Sequence, residues 1–198
     1  HDEETQNRFR NMLKPFYGVL KTMDRAIRFA LLTGVTKFGK VSVFSDLNNL
    51  DDISMREPYA AICGITETEL RTHFDEDIHT LASALERTYE EARSLLRKRY
   101  DGYHFVAGGP GIYNPFSLLN TFKYMRLSDY WFETGTPTYL MELLKRTNYD
   151  LYDMANTETD ADVLNSIDSA LNNPIPVIYQ SGYLTIKDYE PEFKIYRL

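Results

Sequence analysis

One stretch of this sequence carries residues whose types and spacing could act on a phosphate. Gly34-Val35-Thr36-Lys37-Phe38-Gly39-Lys40-Val41 spells G-x-x-x-x-G-K directly after an apolar run. A phosphate-binding loop needs glycines so that backbone amides can turn toward the phosphates. It needs a lysine to reach the β- and γ-phosphates, and Ser or Thr next in line for Mg2+. Here that last position is Val41, which has no oxygen, and Ser42 comes one residue late. Val41 to Phe44 are poor helix formers, whereas a helix N-terminus is the other half of such a site. No clean run of four apolar residues ending in Asp follows. The pattern favours a buried strand leading into a polar turn over a working phosphate loop.

Other chemistry-bearing spacings are weaker. Asp188 precedes Glu192-Phe193-Lys194, an E-x-K. Metal-dependent nucleases hold a cation between an Asp and an E-x-K on neighbouring strands. Here Asp188 falls in the expected turn, so solvent-facing hairpin charge is the favoured reading. His73 and His79 flank Asp75, Glu76 and Asp77, but six residues do not bring two histidines onto one helix face, and no cysteine is near. No Ser-His-Asp or Cys-His arrangement stands out, so no residue is assigned a catalytic role and no metal is expected. Aromatics gather at Tyr100-Asp101-Gly102-Tyr103-His104-Phe105, at Tyr113 and Phe116, and at Tyr130-Trp131-Phe132. They read as core and loop packing rather than base stacking.

The elements that must position these residues follow from composition and period. With 43% hydrophobic residues over 198 positions, the chain holds ample material for a packed core. A net charge of -7 is the wrong sign for broad contact with a polyanion, so nucleic acid is a possible partner that the charge does not support. Cys63 is the single cysteine, which fits a reducing compartment. No apolar run is long enough to cross a bilayer, and the acidic start His1-Asp2-Glu3-Glu4 is not a secretory signal. A cytoplasmic location is expected, without a membrane partner. The start also lacks a methionine, which suggests a segment of a longer chain.

Residues up to about 25 read as helix, interrupted at Pro15. Phe29-Ala30-Leu31-Leu32-Thr33-Gly34 reads as a buried strand, and Val41-Ser42-Val43-Phe44 as a second possible one. Thr66 to Glu69 form a capping-box pattern. Ile78, Leu81, Leu85, Tyr89, Ala92 and Leu96 recur on one face of a long helix, with Arg97, Lys98 and Arg99 in its last turn and Gly102 as the stop. Asn114-Pro115 and Thr136-Pro137 each look like a cap followed by Pro at the first helical position. Residues 148–162 read as loop or weak helix, followed by a helix through Leu171. Tyr183-Leu184-Thr185-Ile186 and Phe193-Lys194-Ile195-Tyr196 predict a terminal hairpin turning through 187–192.

Several blocks in fixed order resemble a known family. Residues 29–45 with Leu47-Asn48-Asn49-Leu50, Tyr59-Ala60-Ala61-Ile62-Cys63-Gly64-Ile65, Tyr100-Asp101-Gly102-Tyr103, Tyr113-Asn114-Pro115-Phe116-Ser117-Leu118-Leu119-Asn120, Tyr130-Trp131-Phe132-Glu133-Thr134-Gly135-Thr136-Pro137 and Tyr179-Gln180-Ser181-Gly182-Tyr183-Leu184-Thr185-Ile186 are similar to the AAA-ATPase-like family of Bacteroidales type. The resemblance covers nearly the whole chain and matches the C-terminal half of the ATPase-like region. It implies that the phosphate loop and Walker B acid lie upstream, in a missing N-terminal half, and that a PD-(D/E)XK nuclease-like domain usually follows.

By that resemblance the fold is α+β and mainly α-helical, with a remnant strand of a P-loop-type sheet, a helical lid and a C-terminal winged-helix-like hairpin. Residues 1–50 would end the ATPase core, 51–147 would form the lid region, and 148–198 the winged-helix-like module. Thr33, Thr36, Lys37 and Lys40 would face the nucleotide as sensor-type residues, while Asn114, Pro115, Trp131, Gly135, Pro137, Gly182 and Tyr183 would be structural. The segment itself would hold no cofactor, with ATP and Mg2+ belonging to the parent. The expected role is a sensor and lid coupling nucleotide state to a neighbouring domain. The alternatives are a nucleic-acid-binding winged-helix module and a protein-interaction module of a mobile-element or defence protein.

Overall fold

The computed structural model describes residues 3–34, 50–131, 138–147, 157–165 and 173–198. Among the described residues the chain is mainly helical with one small antiparallel sheet, an α+β composition. Helix α1 (Glu3–Thr22) runs unbroken through Pro15. Proline removes one amide donor there, but the site is exposed, so water can reach the freed carbonyl. A 3-10 turn (Asp24–Ala26) closes the helix, with the Met23 amide donating to Val19 at 2.9 Å.

The buried strand expected at residues 29–34 is not formed. The backbone there is irregular, and Phe29 is 80% exposed, Leu31 57% and Leu32 39%. A β-run becomes a strand only where a neighbouring ladder takes up its amides and covers its faces. No other described residue pairs with this stretch. The second possible strand, at 41–44, lies outside the described residues.

Four helices build the first apolar cluster: α2 (Glu67–His73), α3 (Asp75–Ala84), α4 (Tyr89–Tyr100) and α5 (Pro115–Tyr124). Thr66 caps α2 as its sequence predicts: its hydroxyl accepts from the Glu69 amide at 3.2 Å, and its own amide donates to the Glu69 carboxylate at 2.9 Å. The single long helix expected over 78–96 is two helices. A second reciprocal cap opens α4, with Glu91 donating its amide to the Thr88 hydroxyl at 3.3 Å and Thr88 donating its own to Glu91 at 2.8 Å. Glu86 turns the chain between them in a left-handed conformation. Leu70, Ile78, Leu81, Ala92, Leu96 and Leu118 are fully buried in this cluster. Each large aliphatic among them contributes about 1.5–3 kcal/mol by leaving water. The basic end of α4 is a solvated helix end with local acids: Arg97 pairs with Asp101 at 3.5 Å and Arg99 with Asp129 at 3.3 Å.

The second cluster gathers Leu164, Ile175, Val177, Ile178, Tyr179, Ile186 and Leu198, with Leu144 packed against it. Its elements are α6 (Thr138–Thr147), α7 (Ala161–Leu164), α8 (Ile175–Gln180) and strands β1 (Glu158–Asp160), β2 (Asp188–Glu190) and β3 (Ile195–Arg197), in sheet order β1-β3-β2. The hairpin exists, but its first strand lies at 188–190, not at 183–186. Residues 183–186 are instead irregular and packed inward, with Ile186 1% exposed. β1 falls in a stretch read as loop or weak helix, and it forms because β3 offers it a ladder. The helix expected through Leu171 is described only as α7, since 166–172 lie outside the described residues. Arg197 on the central strand reaches both edge strands, Glu158 at 3.1 Å and Asp188 at 3.3 Å. Tyr196 stacks on Tyr189 across β2 at 4.5 Å.

Thr88→Ala removes the acceptor that starts α4. It should lower unfolding free energy by about 1 kcal/mol, while Thr88→Ser should cost little. Urea unfolding checks this: the midpoint should fall with an unchanged slope.

Candidate functional site

The sequence-derived residues fall into two groups. Of the set expected to face a nucleotide, Thr33 lies exposed on the irregular stretch after α1. Thr36, Lys37 and Lys40 lie outside the described residues, as do Gly135 and Pro137. The E-x-K pattern does not assemble a metal site. Asp188 sits on β2 and faces Arg197, whereas Glu192 and Lys194 lie in the turn, Lys194 with a positive φ.

The remaining motif residues fall in two places, Asn114 and Pro115 at the start of α5 and Trp131, Gly182 and Tyr183 together at a junction. Asn114 caps α5, accepting from the Ser117 amide at 2.9 Å, and Pro115 follows at the first turn. The Asn114 amide donates to Tyr100 at 2.9 Å, tying α5 to the end of α4. The Tyr100 hydroxyl is a hub: it donates to the Ser128 carbonyl at 2.8 Å and accepts from Thr121 at 2.8 Å and the Ser128 amide at 3.0 Å. Beyond Gly102, the chain turns toward the second cluster. The Tyr103 hydroxyl donates to the Tyr179 carbonyl at 3.3 Å. The His104 amide donates to the Thr185 hydroxyl at 2.6 Å, and that hydroxyl lies 3.2 Å from the His104 carbonyl, to which it donates. Nδ1 of His104 sits 3.1 Å from the Gly109 carbonyl, so that nitrogen carries the proton.

Trp131 closes this junction, its ring 4.8 Å from Tyr183. Gly182 adopts φ +83°, and a Cβ there would lie 3.5 Å from Trp131 Cζ2 and 4.0 Å from Tyr103 Cε2. Those distances are ordinary van der Waals contacts, so glycine is needed here for its left-handed backbone rather than for space. Burial pushes the Tyr103 phenol up to about 12 and also raises Tyr179. Both phenols are neutral, and that of Tyr103 is hydrogen-bonded. The arrangement is suited to fixing how two clusters sit together, not to bond-making chemistry. The sequence pattern flagged Trp131, Gly182 and Tyr183, but gave no sign of the Thr185–His104 pair, since 81 positions separate them.

A charged recess of about 360 Å³ opens between α2, α3 and α4, lined by Glu67, Thr68, Arg71, Thr72, Asp75 and Tyr89. Its carboxylates serve neighbours. Glu67 accepts from the Tyr113 hydroxyl at 2.5 Å, and its other oxygen lies 3.0 Å from Arg93 Nε. Asp75 accepts from Tyr89 at 2.7 Å and sits 3.8 Å from His79. Tyr113 is raised by burial and by Glu67. His73 and His79 lie on different helices, and among the described residues no group of three His, Cys, Asp or Glu is placed to hold a metal. Tyr100, Tyr113 and Tyr130 are all core residues, which fits packing rather than base stacking. No helix among the described residues is long and apolar enough to cross a membrane.

The N-terminal part of the chain is similar to an ATPase-related class: a family described as Predicted AAA-ATPase matches residues 1–44. A protein of Azotobacter chroococcum mcd 1, described as an uncharacterized protein in the vnfD 5' region, is 38% identical over 183 residues. That similarity covers 92% of this chain but 33% of the relative, so the chain spans about a third of the relative's length. No solved structure matches the chain.

Thr185→Val keeps the shape of the junction but leaves the His104 amide without its acceptor. It should cost about 1–3 kcal/mol and shift the emission of Trp131, the only tryptophan. Denaturant titration read by that emission checks both.

The phenol of Tyr103 titrates higher in the fold than in the unfolded chain, where about 10 is usual. The fold favours its neutral form. Its contribution is therefore full below the unfolded value and is lost as pH rises through about 12. Tyr103→Phe should soften the alkaline fall in the urea midpoint, measured at several pH values.

Proposed function

We propose that this chain is the sensor-and-lid part of an ATPase-like protein, without a complete nucleotide site of its own. The observation that carries the reading is the match of residues 1–44 to the Predicted AAA-ATPase family. That span holds Thr33, Thr36, Lys37 and Lys40 and lacks both the Ser or Thr after Gly39-Lys40 and a Walker B run. In this reading ATP and Mg2+ bind mainly to an N-terminal half, and one of these four side chains meets the γ-phosphate or attacking water from the far side. Helices α2 to α5 act as the lid, and the tyrosine-tryptophan junction passes their position to the C-terminal sheet. From there the signal reaches a following domain, of the PD-(D/E)XK nuclease-like kind that the resemblance implies. The relative's greater length is consistent with such neighbours.

A nucleic-acid role for the hairpin is disfavoured. Arg197, one of its few cations, is paired with Glu158 and Asp188.

Calorimetry with ATP and Mg2+ tests the reading, on this chain and on the complete product of its reading frame. Binding by the complete product alone supports it. Tight binding by the 198-residue chain overturns it and makes 34–40 a variant phosphate loop. In the complete product, at least one of Lys37→Ala and Lys40→Ala should lower ATP turnover by roughly a hundredfold, the effect of deleting one donor to developing charge. Normal turnover in both removes the sensor assignment.

A further inference from the structure

Helix α1 presents an apolar stripe that nothing among the described residues covers. Phe9, Phe16 and Met23 are seven apart, as are Met12 and Val19, with Leu13 beside them. That is the spacing of a helix face that packs against a partner. Yet Phe9 is 59% exposed, Met12 61% and Phe16 69%. The exposed Phe29, Leu31 and Leu32 continue the same apolar surface in sequence. An uncovered apolar helix face marks an interaction site.

We infer that α1 and residues 29–32 dock onto the nucleotide-binding half of a longer ATPase-like protein, at an apolar surface with an acidic rim. The inference rests on the ATPase-like reading above. Three observations select this occupant. The family match ends at residue 44, so it covers the segment that holds the exposed surface. The Azotobacter relative is about three times as long as the matched region, which leaves a large unmatched part as a source of the surface. Charge supplies the third. Residues 3–28 carry Arg8, Arg10, Lys14, Lys21, Arg25 and Arg28 against the acids Glu3, Glu4 and Asp24, a positive excess in a chain of net charge -7.

That positive excess argues against a second copy, because pairing α1 with α1 brings two net-positive helices together. A lipid surface would suit a basic amphipathic helix alone. It does not suit the adjoining 29–32, whose non-helical backbone would carry its amides into hydrocarbon.

Cysteine accessibility tests the docking. Phe16→Cys and, separately, Phe29→Cys are introduced into the 198-residue chain and into the complete product of the reading frame. Labelling by a maleimide is followed peptide by peptide and compared with the same protein in urea, with the exposed native Cys63 as a reference. The expected result is fast labelling of both new cysteines in the short chain. In the complete product both should be slowed by about a hundredfold or more, as for groups reached only by opening. Fast labelling in the complete product overturns the inference. So does slow labelling in the short chain that is relieved by dilution, which means a second copy. Slow labelling in the short chain only with phosphatidylserine vesicles also overturns it. ATP calorimetry on the same complete product separates the two readings. Fast labelling with ATP bound removes the docking alone, and slow labelling without ATP binding removes the nucleotide reading alone.

Discussion

The hydroxyl of Thr185 does for the loop after α4 what a neighbouring strand would do. It accepts from the amide of His104 and donates to the carbonyl of the same residue. Where a loop is partly withdrawn from water, both groups need partners. One side chain beside the C-terminal cluster supplies both partners, and the Tyr103–Ile112 bridge holds the loop from the other side. Tyr103, Trp131 and Tyr183 then pack around a point already fixed. With the Tyr103 hydroxyl donating to the Tyr179 carbonyl, this contact ties the end of α4 to the C-terminal cluster.

Much of the helical part was legible because its signals are local. The Thr66-Glu69 and Asn114-Pro115 starts can each be read from four residues, and both are present. The break between α3 and α4 was legible too, in Thr88 and Glu91, but the apolar period hid it. Leu85 and Tyr89 are four apart, so the stripe continues across the gap while the backbone does not. Where cap and period disagree, the cap reports the backbone more directly. Period reports only which side faces the core.

The sheet was less legible because its strands are set by partners. Glu158-Thr159-Asp160 has only Thr159 to suggest a strand, yet it pairs with β3 in full. Tyr183 to Ile186 has the composition and forms no strand, since its residues are spent on the junction and the core. The apolar run at 29–34 makes the same point, with the composition and no partner strand among the described residues. Of the candidate site, the ordered motif blocks pointed to Trp131, Gly182 and Tyr183 but not to what they do. Their role appears only when Tyr103, far away in sequence, is brought beside them.

The order of strands in the sheet has a consequence for synthesis. β3 lies between β1 and β2 but follows both in the chain. As the polypeptide leaves the ribosome, β1 and β2 emerge without the strand that joins them, and neither can close a ladder. The helices α2 to α5 have all their mutual partners much earlier. The helical body can therefore fold vectorially, while the sheet must wait for its centre and then assemble in one step.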